Sequence, residues 1–149
     1  MINDSIKVKG NLDIVLKDAD GNVKDSRSVR NLLVDDGAEY IAARMITNSG
    51  LMSHMAIGEG TTSPVAGNDA LENQDGNRVT FDSGFPTRSG AAITYSASFG
   101  SGHTGTITEA GIFDAATNGT MLCRTTFNPI SKASVDTMQI SWTVTITAS

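Results

Sequence analysis

Residues 138–146 read MQISWTVTI, and this stretch decides the fold. Its even positions are Met138, Ile140, Trp142, Val144 and Ile146, and every odd position between them carries an amide or a hydroxyl. Successive side chains of a strand point to opposite faces, so the alternation buries one face and leaves a polar face outside. We therefore predict a strand that places Ile140, Trp142 and Val144 in a core and carries no catalytic chemistry.

Similar strand-like stretches recur along the chain. They lie at about residues 6–16, 23–34, 53–60, 77–83, 91–99, 106–114 and 120–127. Asp20-Gly21 and Asn118-Gly119 stand between pairs of them and are typical of tight hairpin turns. With 18% charged and 5% aromatic residues, the composition suits strands and turns. These features predict an all-β fold: an antiparallel β-sandwich of about eight strands, jelly-roll-like, with one short helix.

That helix is predicted from the stretch DDGAEYIAARMI. We expect it at residues 37–46, with Asp35 or Asp36 as its N-cap.

The length of the chain indicates a single domain at residues 1–149. Residues 58–76 are rich in Gly, Thr, Ser, Pro, Asn and Asp and are too many for a simple turn. We expect a long surface loop there, and we expect residues 1–5 to form a flexible arm.

Charge and hydropathy limit the class of partner. The formal net charge is −5, and the basic residues of the first third are interleaved with acidic ones. Because phosphate binding needs clustered Lys and Arg, nucleic acid is not an expected partner. Nowhere do 18 apolar residues follow one another, so no membrane partner is expected. The first residues lack an apolar run of signal-peptide length, so we expect the protein to be made in a cytoplasm.

Residues capable of catalysis are few and scattered. The chain has one cysteine, Cys123, and two histidines, His54 and His103, without a second ligand at metal-binding spacing. We therefore expect no enzyme, no catalytic residue, no metal and no cofactor.

Asp18, Asp20 and Asn22 have alternate spacing that resembles a calcium loop. The pattern requires Gly at its sixth position and Glu at its twelfth, whereas Gly21 is fourth and Val29 is twelfth. Turn chemistry is the better interpretation.

Three charged residues, Arg78, Glu109 and Arg124, stand inside apolar strand-like stretches. A buried carboxylate beside an arginine is tolerated when the two pair with good hydrogen-bond geometry. We predict a structural ion pair or triad, and pairing of Glu109 with Arg124 would make their strands neighbours.

Four segments together resemble a known class of protein. They are NLLVDDGAEYIAARM (31–45), MSHMAIGEGTTSPVAGNDALENQ (52–74), ITYSASF (93–99) and the stretch from ITEAGIF to TVTIT (107–147). Their order is similar to that of small β-sandwich accessory proteins in the virions of tailed bacteriophages, which are capsid decoration (cement) proteins or tail-fibre and neck-associated proteins. The motifs IGEGTT, TEAGIF and GTMLCRT carry the likeness but transfer no functional residue.

The resemblance implies a virion protein that binds and stabilises the assembled head. Its implied partners are the major capsid protein, or tail and neck proteins, and copies of itself in a trimer or dimer. A tail-fibre, neck or baseplate component is the alternative, but the chain has no rod-like trimerisation segment. A carbohydrate- or receptor-binding module is a second alternative, although sugar sites usually stack an aromatic ring and Trp142 is predicted to be buried.

Overall fold

The computed structural model describes residues 5–47 and 50–148 and shows two antiparallel five-stranded sheets with one helix. The predicted all-β sandwich is confirmed. Of the predicted arm, residues 1–4 lie outside the described residues. In chain order the elements are β1 (Ile6–Lys17), β2 (Val23–Arg30), β3 (Leu32–Leu33), α1 (Asp35–Ala43), β4 (His54–Gly58), β5 (Gln74–Thr80), β6 (Thr87–Ser89), β7 (Ala92–Phe99), β8 (Gly105–Phe113), β9 (Met121–Lys132) and β10 (Thr137–Ala148).

The first sheet has the order β2-β1-β10-β7-β6, and the second has the order β3-β9-β8-β4-β5. In the first sheet Trp142 of β10 lies between Leu12 of β1 and Tyr95 of β7. Ile140 and Trp142 are fully buried and Val144 is 5% exposed, so the even positions of β10 face the core between the sheets. The indole N–H of Trp142 donates to Oδ1 of Asn31 at 2.9 Å, which satisfies a donor that burial removes from water.

A smaller apolar cluster lies apart from the core between the sheets. It consists of Val34, Ala56, Leu71, Phe113 and Met121. Since Ile112 belongs to the main core and Phe113 to this cluster, adjacent residues of β8 are buried on opposite faces. The second sheet is therefore covered on both faces.

The strand count is ten, and the predicted count of about eight was too low. The additional strands β3 and β6 have two and three residues. The expected strand at 23–34 ends at Arg30, because the chain then crosses at Asn31 from the first sheet to the second.

The predicted jelly-roll-like order was wrong. Four pairs of consecutive strands, β1 with β2, β4 with β5, β6 with β7 and β8 with β9, are hydrogen-bonded neighbours within one sheet. A jelly roll interlocks two Greek keys and sends most consecutive strands to opposite sheets. Short turns keep three of these pairs in one sheet, whereas β4 and β5 are joined by residues 59–73.

The helix occupies Asp35–Ala43 instead of the expected residues 37–46. Val34 is its N-cap residue and makes no side-chain capping bond, so neither Asp35 nor Asp36 is the cap. Both aspartates lie in the first turn, where the helix dipole favours negative charge. Among the described residues, no helix has the length and apolarity required to cross a membrane.

The Asp20-Gly21 hairpin is confirmed. Oδ1 of Asp18 accepts the backbone N–H groups of Asp20 and Asn22, each at 2.9 Å, and Gly21 has φ +84°. The carboxylate therefore fulfils an Asx-turn role, as turn chemistry requires.

Candidate functional site

The outward face of the first sheet carries hydroxyls and amides interspersed with charged side chains, and it is here called the outer polar face. Its members are Asn11, Ser26, Ser28, Thr94, Gln139, Ser141 and Thr143. Thr143 lies at the centre, between Asn11 and Thr94, and its hydroxyl is 3.1 Å from that of Thr94. Charges of both signs lie on the same face: Asp13 is between Ser28 and Ser141 in the register, and Arg30 is opposite Asn11.

Asp82 organises the margin of the outer polar face along β7. Its Oδ2 accepts hydrogen bonds from Ser96 Oγ at 2.7 Å and Ser98 Oγ at 3.2 Å, and Gln139 Nε2 lies 3.4 Å away. Its backbone N–H also donates to the carbonyl of Ser96 at 2.7 Å. At this margin the hydroxyls are engaged internally, whereas Asn11, Ser26 and Ser28 are exposed on the β1 and β2 side.

The structure brings Glu109 of β8 and Arg124 of β9 together in the interior. Both side chains are buried, with Oε2 of Glu109 2.8 Å from one terminal nitrogen of Arg124 and 2.9 Å from its Nε. Their strands are neighbours, and Arg124 lies opposite Gly111 in the register. Both contacts end on the same carboxylate oxygen, and the one from Nε has hydrogen-bond geometry whereas the terminal nitrogen makes an ion-pair contact alone.

Glu109 also holds the long loop. Oε1 accepts the backbone N–H groups of Gly60 at 3.0 Å and Asn73 at 2.8 Å, and Oε2 accepts that of Glu72 at 3.0 Å. A Cβ at Gly60 would lie 2.5 Å from Oε1, so only glycine allows this approach. The carboxylate therefore fixes both ends of the loop against the second sheet.

The loop runs from residue 59 to residue 73, and the predicted range of 58–76 was too wide. Gly58 ends β4, and Gln74 begins β5. In the middle of the loop, Oδ1 of Asn68 accepts from Arg124 at 3.1 Å, and Leu71 packs in the smaller apolar cluster. The loop is thus an ordered cover over the ion pair.

Arg78 does not join the ion pair. Its guanidinium lies 3.5 Å from the ring centroid of Phe113, and it donates to the carbonyls of Ala115 at 3.0 Å and Asn118 at 2.7 Å. Burial lowers the pKa of Arg78. Its positive charge is satisfied by an aromatic face and by the turn between β8 and β9, so its role is to hold that turn.

The histidines and the cysteine make local contacts. Nδ1 of His54 is 2.7 Å from Oγ of Ser53, and Nε2 of His103 is 2.7 Å from the carbonyl of Asn77. Burial raises the pKa of the Cys123 thiol well above its ordinary value. Over residues 5–47 and 50–148, no group of three or more His, Cys, Asp and Glu side chains is placed to hold a metal ion.

The buried ammonium group of Lys132 was not predicted from the sequence. Its Nζ donates to the carbonyls of Gly100 and His103 at 2.7 Å and of Asp136 at 2.8 Å. Burial lowers the pKa of Lys132, while the nearby Asp136 carboxylate opposes that change. No sequence signal marks this site, because its acceptors are backbone groups that the fold brings together.

Comparison with known proteins gives no match, whether to a protein family, to a curated protein or to a solved structure.

Proposed function

We propose that this protein is a structural component of a bacteriophage virion, a capsid decoration (cement) protein that binds and stabilises the assembled head. The outer polar face is the observation that carries the proposal. The second sheet has its outward face covered by its own loop, whereas the β1 and β2 side of the first sheet is open. The sequence resemblance described above supports the same class.

The composition of the outer polar face suits contact with another protein. Its seven named members are uncharged and cost less to desolvate than charged side chains, which are depleted at the cores of protein interfaces. Asp13 and Arg30 on the same face would need partners of opposite charge. The proposed partners are the major capsid protein and further copies of this chain, in a trimer or dimer.

Stabilisation of the head would follow from mass action. A protein that binds the assembled shell, and not its separated subunits, lowers the free energy of the intact particle at each occupied site. Particles stripped of this protein should therefore rupture at a lower temperature than decorated ones. Equal rupture temperatures would contradict the decoration role.

A matched pair of variants tests which surface binds. Asn11→Lys places a charge on the outer polar face, and Thr117→Lys places the same charge on the exposed turn between β8 and β9. We expect the first variant to lose occupancy on particles and the second to retain it, as measured by gel densitometry of purified particles. Equal occupancy of both variants would contradict the assignment of this face.

Copy number separates the decoration role from a tail-fibre, neck or baseplate role. A decoration protein is present in hundreds of copies per particle, and a neck or tail component in about a dozen. A carbohydrate- or receptor-binding module would need an exposed aromatic ring. Trp142 is fully buried and cannot serve in this way, so such a role would have to use Phe85, which is 38% exposed.

A further inference from the structure

One end of the sandwich, where β9 begins and β10 ends, is open between the two sheets. Helix α1 lies along one side of this opening and β6 along the other, and the groove between them has a volume of about 470 Å³. Its lining includes Tyr40, Arg44, Arg88, Tyr95, Leu122 and Val144. We call it the end groove.

The floor of the end groove is the main core itself. Tyr95, Leu122 and Val144 belong to the core cluster, with exposures of 7%, 2% and 5%. Leu51 also lines the groove and is 66% exposed, so an apolar occupant would remove an exposed leucine from water. Mainly apolar grooves of a few hundred cubic ångströms, with a small number of polar groups, are typical of small-molecule sites.

The charged side chains that line the end groove are both arginines. Arg44 lies 5.9 Å from the ring centroid of Tyr40, and Arg88 donates to the carbonyl of Gly90 at 2.8 Å. No acidic residue is among the described lining residues of this groove, although the chain as a whole is acidic. The positive charge is therefore a local property of the groove.

A second hollow gives an internal comparison. It lies on the other side of α1, also touches Tyr40, and is lined by Asp36, Glu39 and Asp114 without an arginine or lysine among its described lining residues. Its volume of about 450 Å³ is close to that of the end groove, but its charge is opposite. An anion is thus favoured on one side of the helix and disfavoured on the other.

We propose that the end groove binds a small amphipathic carboxylate of the fatty-acid type. Its hydrocarbon chain would lie on the apolar floor between the sheets, and its carboxylate would lie at the rim beside Arg44 and Arg88. Guanidinium groups suit this task because they bind carboxylates through paired hydrogen bonds. This site is separate from the outer polar face and does not depend on the proposed virion role.

Three ligands with the same chain and different head groups test the proposal: decanoate, decanol and decyltrimethylammonium, each below its micelle concentration. Isothermal titration calorimetry should show the tightest binding for decanoate. Amide chemical shifts in a two-dimensional NMR spectrum should change around Tyr40, Arg88 and Val144. Equal affinity for decanol, tighter binding of the cation, shift changes remote from the groove, or no binding would each overturn the proposal.

A variant pair tests the role of the rim. Arg88→Gln removes an exposed charge at the groove, and Arg30→Gln removes an exposed charge on β2. Since exposed charge pairs are worth little individually, Arg88→Gln should weaken decanoate binding about threefold to fivefold and leave decanol unchanged. Arg30→Gln should bind both ligands like the unmodified protein. Equal decanoate affinity of the two folded variants would overturn the proposal.

Discussion

The two sheets of this sandwich share one core but have different outward faces. The first sheet presents a polar surface of hydroxyls, amides and charged side chains, and its β1 and β2 side is open to solvent. The second sheet is covered by residues 59–73, which are held by the buried pair of Glu109 and Arg124. The number of strands does not explain the difference, because each sheet has five. One outward face is completed within the chain, and the other stays exposed on its β1 and β2 side, which is the side that the proposed function assigns to a partner.

Replacement of Glu109 by alanine should give the largest loss of stability among these variants and release the loop that covers the second sheet. It leaves a buried guanidinium without its carboxylate and leaves the backbone N–H groups of Gly60, Glu72 and Asn73 without an acceptor. We expect a loss of at least about 5 kcal/mol in the free energy of unfolding, measured in urea.

Two controls separate the ion pair from the loop contacts. Arg124→Met should cost about 3 kcal/mol, because Glu109 keeps its three backbone donors. Glu109→Leu combined with Arg124→Met should be less harmful than Glu109→Ala alone, since no unpaired charge stays buried. Equal losses in the single and double variants would contradict the structural role of the pair.

Truncation of Trp142 to alanine tests the core that both sheets share. The side chain is fully buried, so the change should cost about 3–5 kcal/mol through lost burial and a cavity. Trp142→Phe should cost less and isolates the lost bond to Asn31. Thermal and urea unfolding should show one cooperative transition in each variant; a loss below 1 kcal/mol for Trp142→Ala would contradict the burial.

Asp136 lies in the turn between β9 and β10, which connects the two sheets, and we expect it to make the free energy of unfolding depend on pH. The hydrogen bond from Lys24 and that from the N–H of Ala133 lower the pKa of Asp136 below its ordinary value of 3.8. Because the folded pKa is the lower one, the stabilisation is present above pH 3.8 and is lost as the pH falls through the folded value. Asp136→Asn should thus be less stable than the unmodified protein at neutral pH and approach it in acid. A constant difference across the pH range would contradict this assignment.

Substitution on the exposed β1 and β2 side of the outer polar face should have the smallest effect on stability. It therefore gives the clearest contrast with the covered face of the second sheet. Asn11 is exposed, and its amide makes a long contact of 3.4 Å with the hydroxyl of Ser28. Asn11→Lys should therefore change the free energy of unfolding by less than about 0.5 kcal/mol. A larger change would mean that this face supports the fold, and its loss of particle binding could then be a folding defect.

The features that depend on local periodicity could be predicted from the sequence. The alternation at residues 138–146 identified the buried face of β10, because one side of that strand is core and the other is solvent. β5 is an edge strand with polar residues on both faces, so periodicity gave no signal at its start and the loop was predicted too long. The same applies to β3 and β6, which are too short to show a period.

Long-range partners were only partly predictable. Glu109 and Arg124 were identified because opposite charges inside apolar strands need each other. Arg78 has the same kind of sequence context, yet its partner is the aromatic ring of Phe113. Asn31 is 111 positions from Trp142, and nothing local marks it as the acceptor of the indole N–H. Such partners follow from topology, which the sequence pattern does not determine.

The position of β10 has a consequence for the newly made chain. This strand is the last of those described, yet it lies in the middle of the first sheet, paired with β1 on one side and β7 on the other. Until it emerges from the ribosome, β1 and β7 each present an unpaired edge, and such edges are templates for aggregation. The first sheet therefore closes only after β10 has been synthesised, and we expect a chain interrupted before Thr137 to be a substrate for chaperones and proteases.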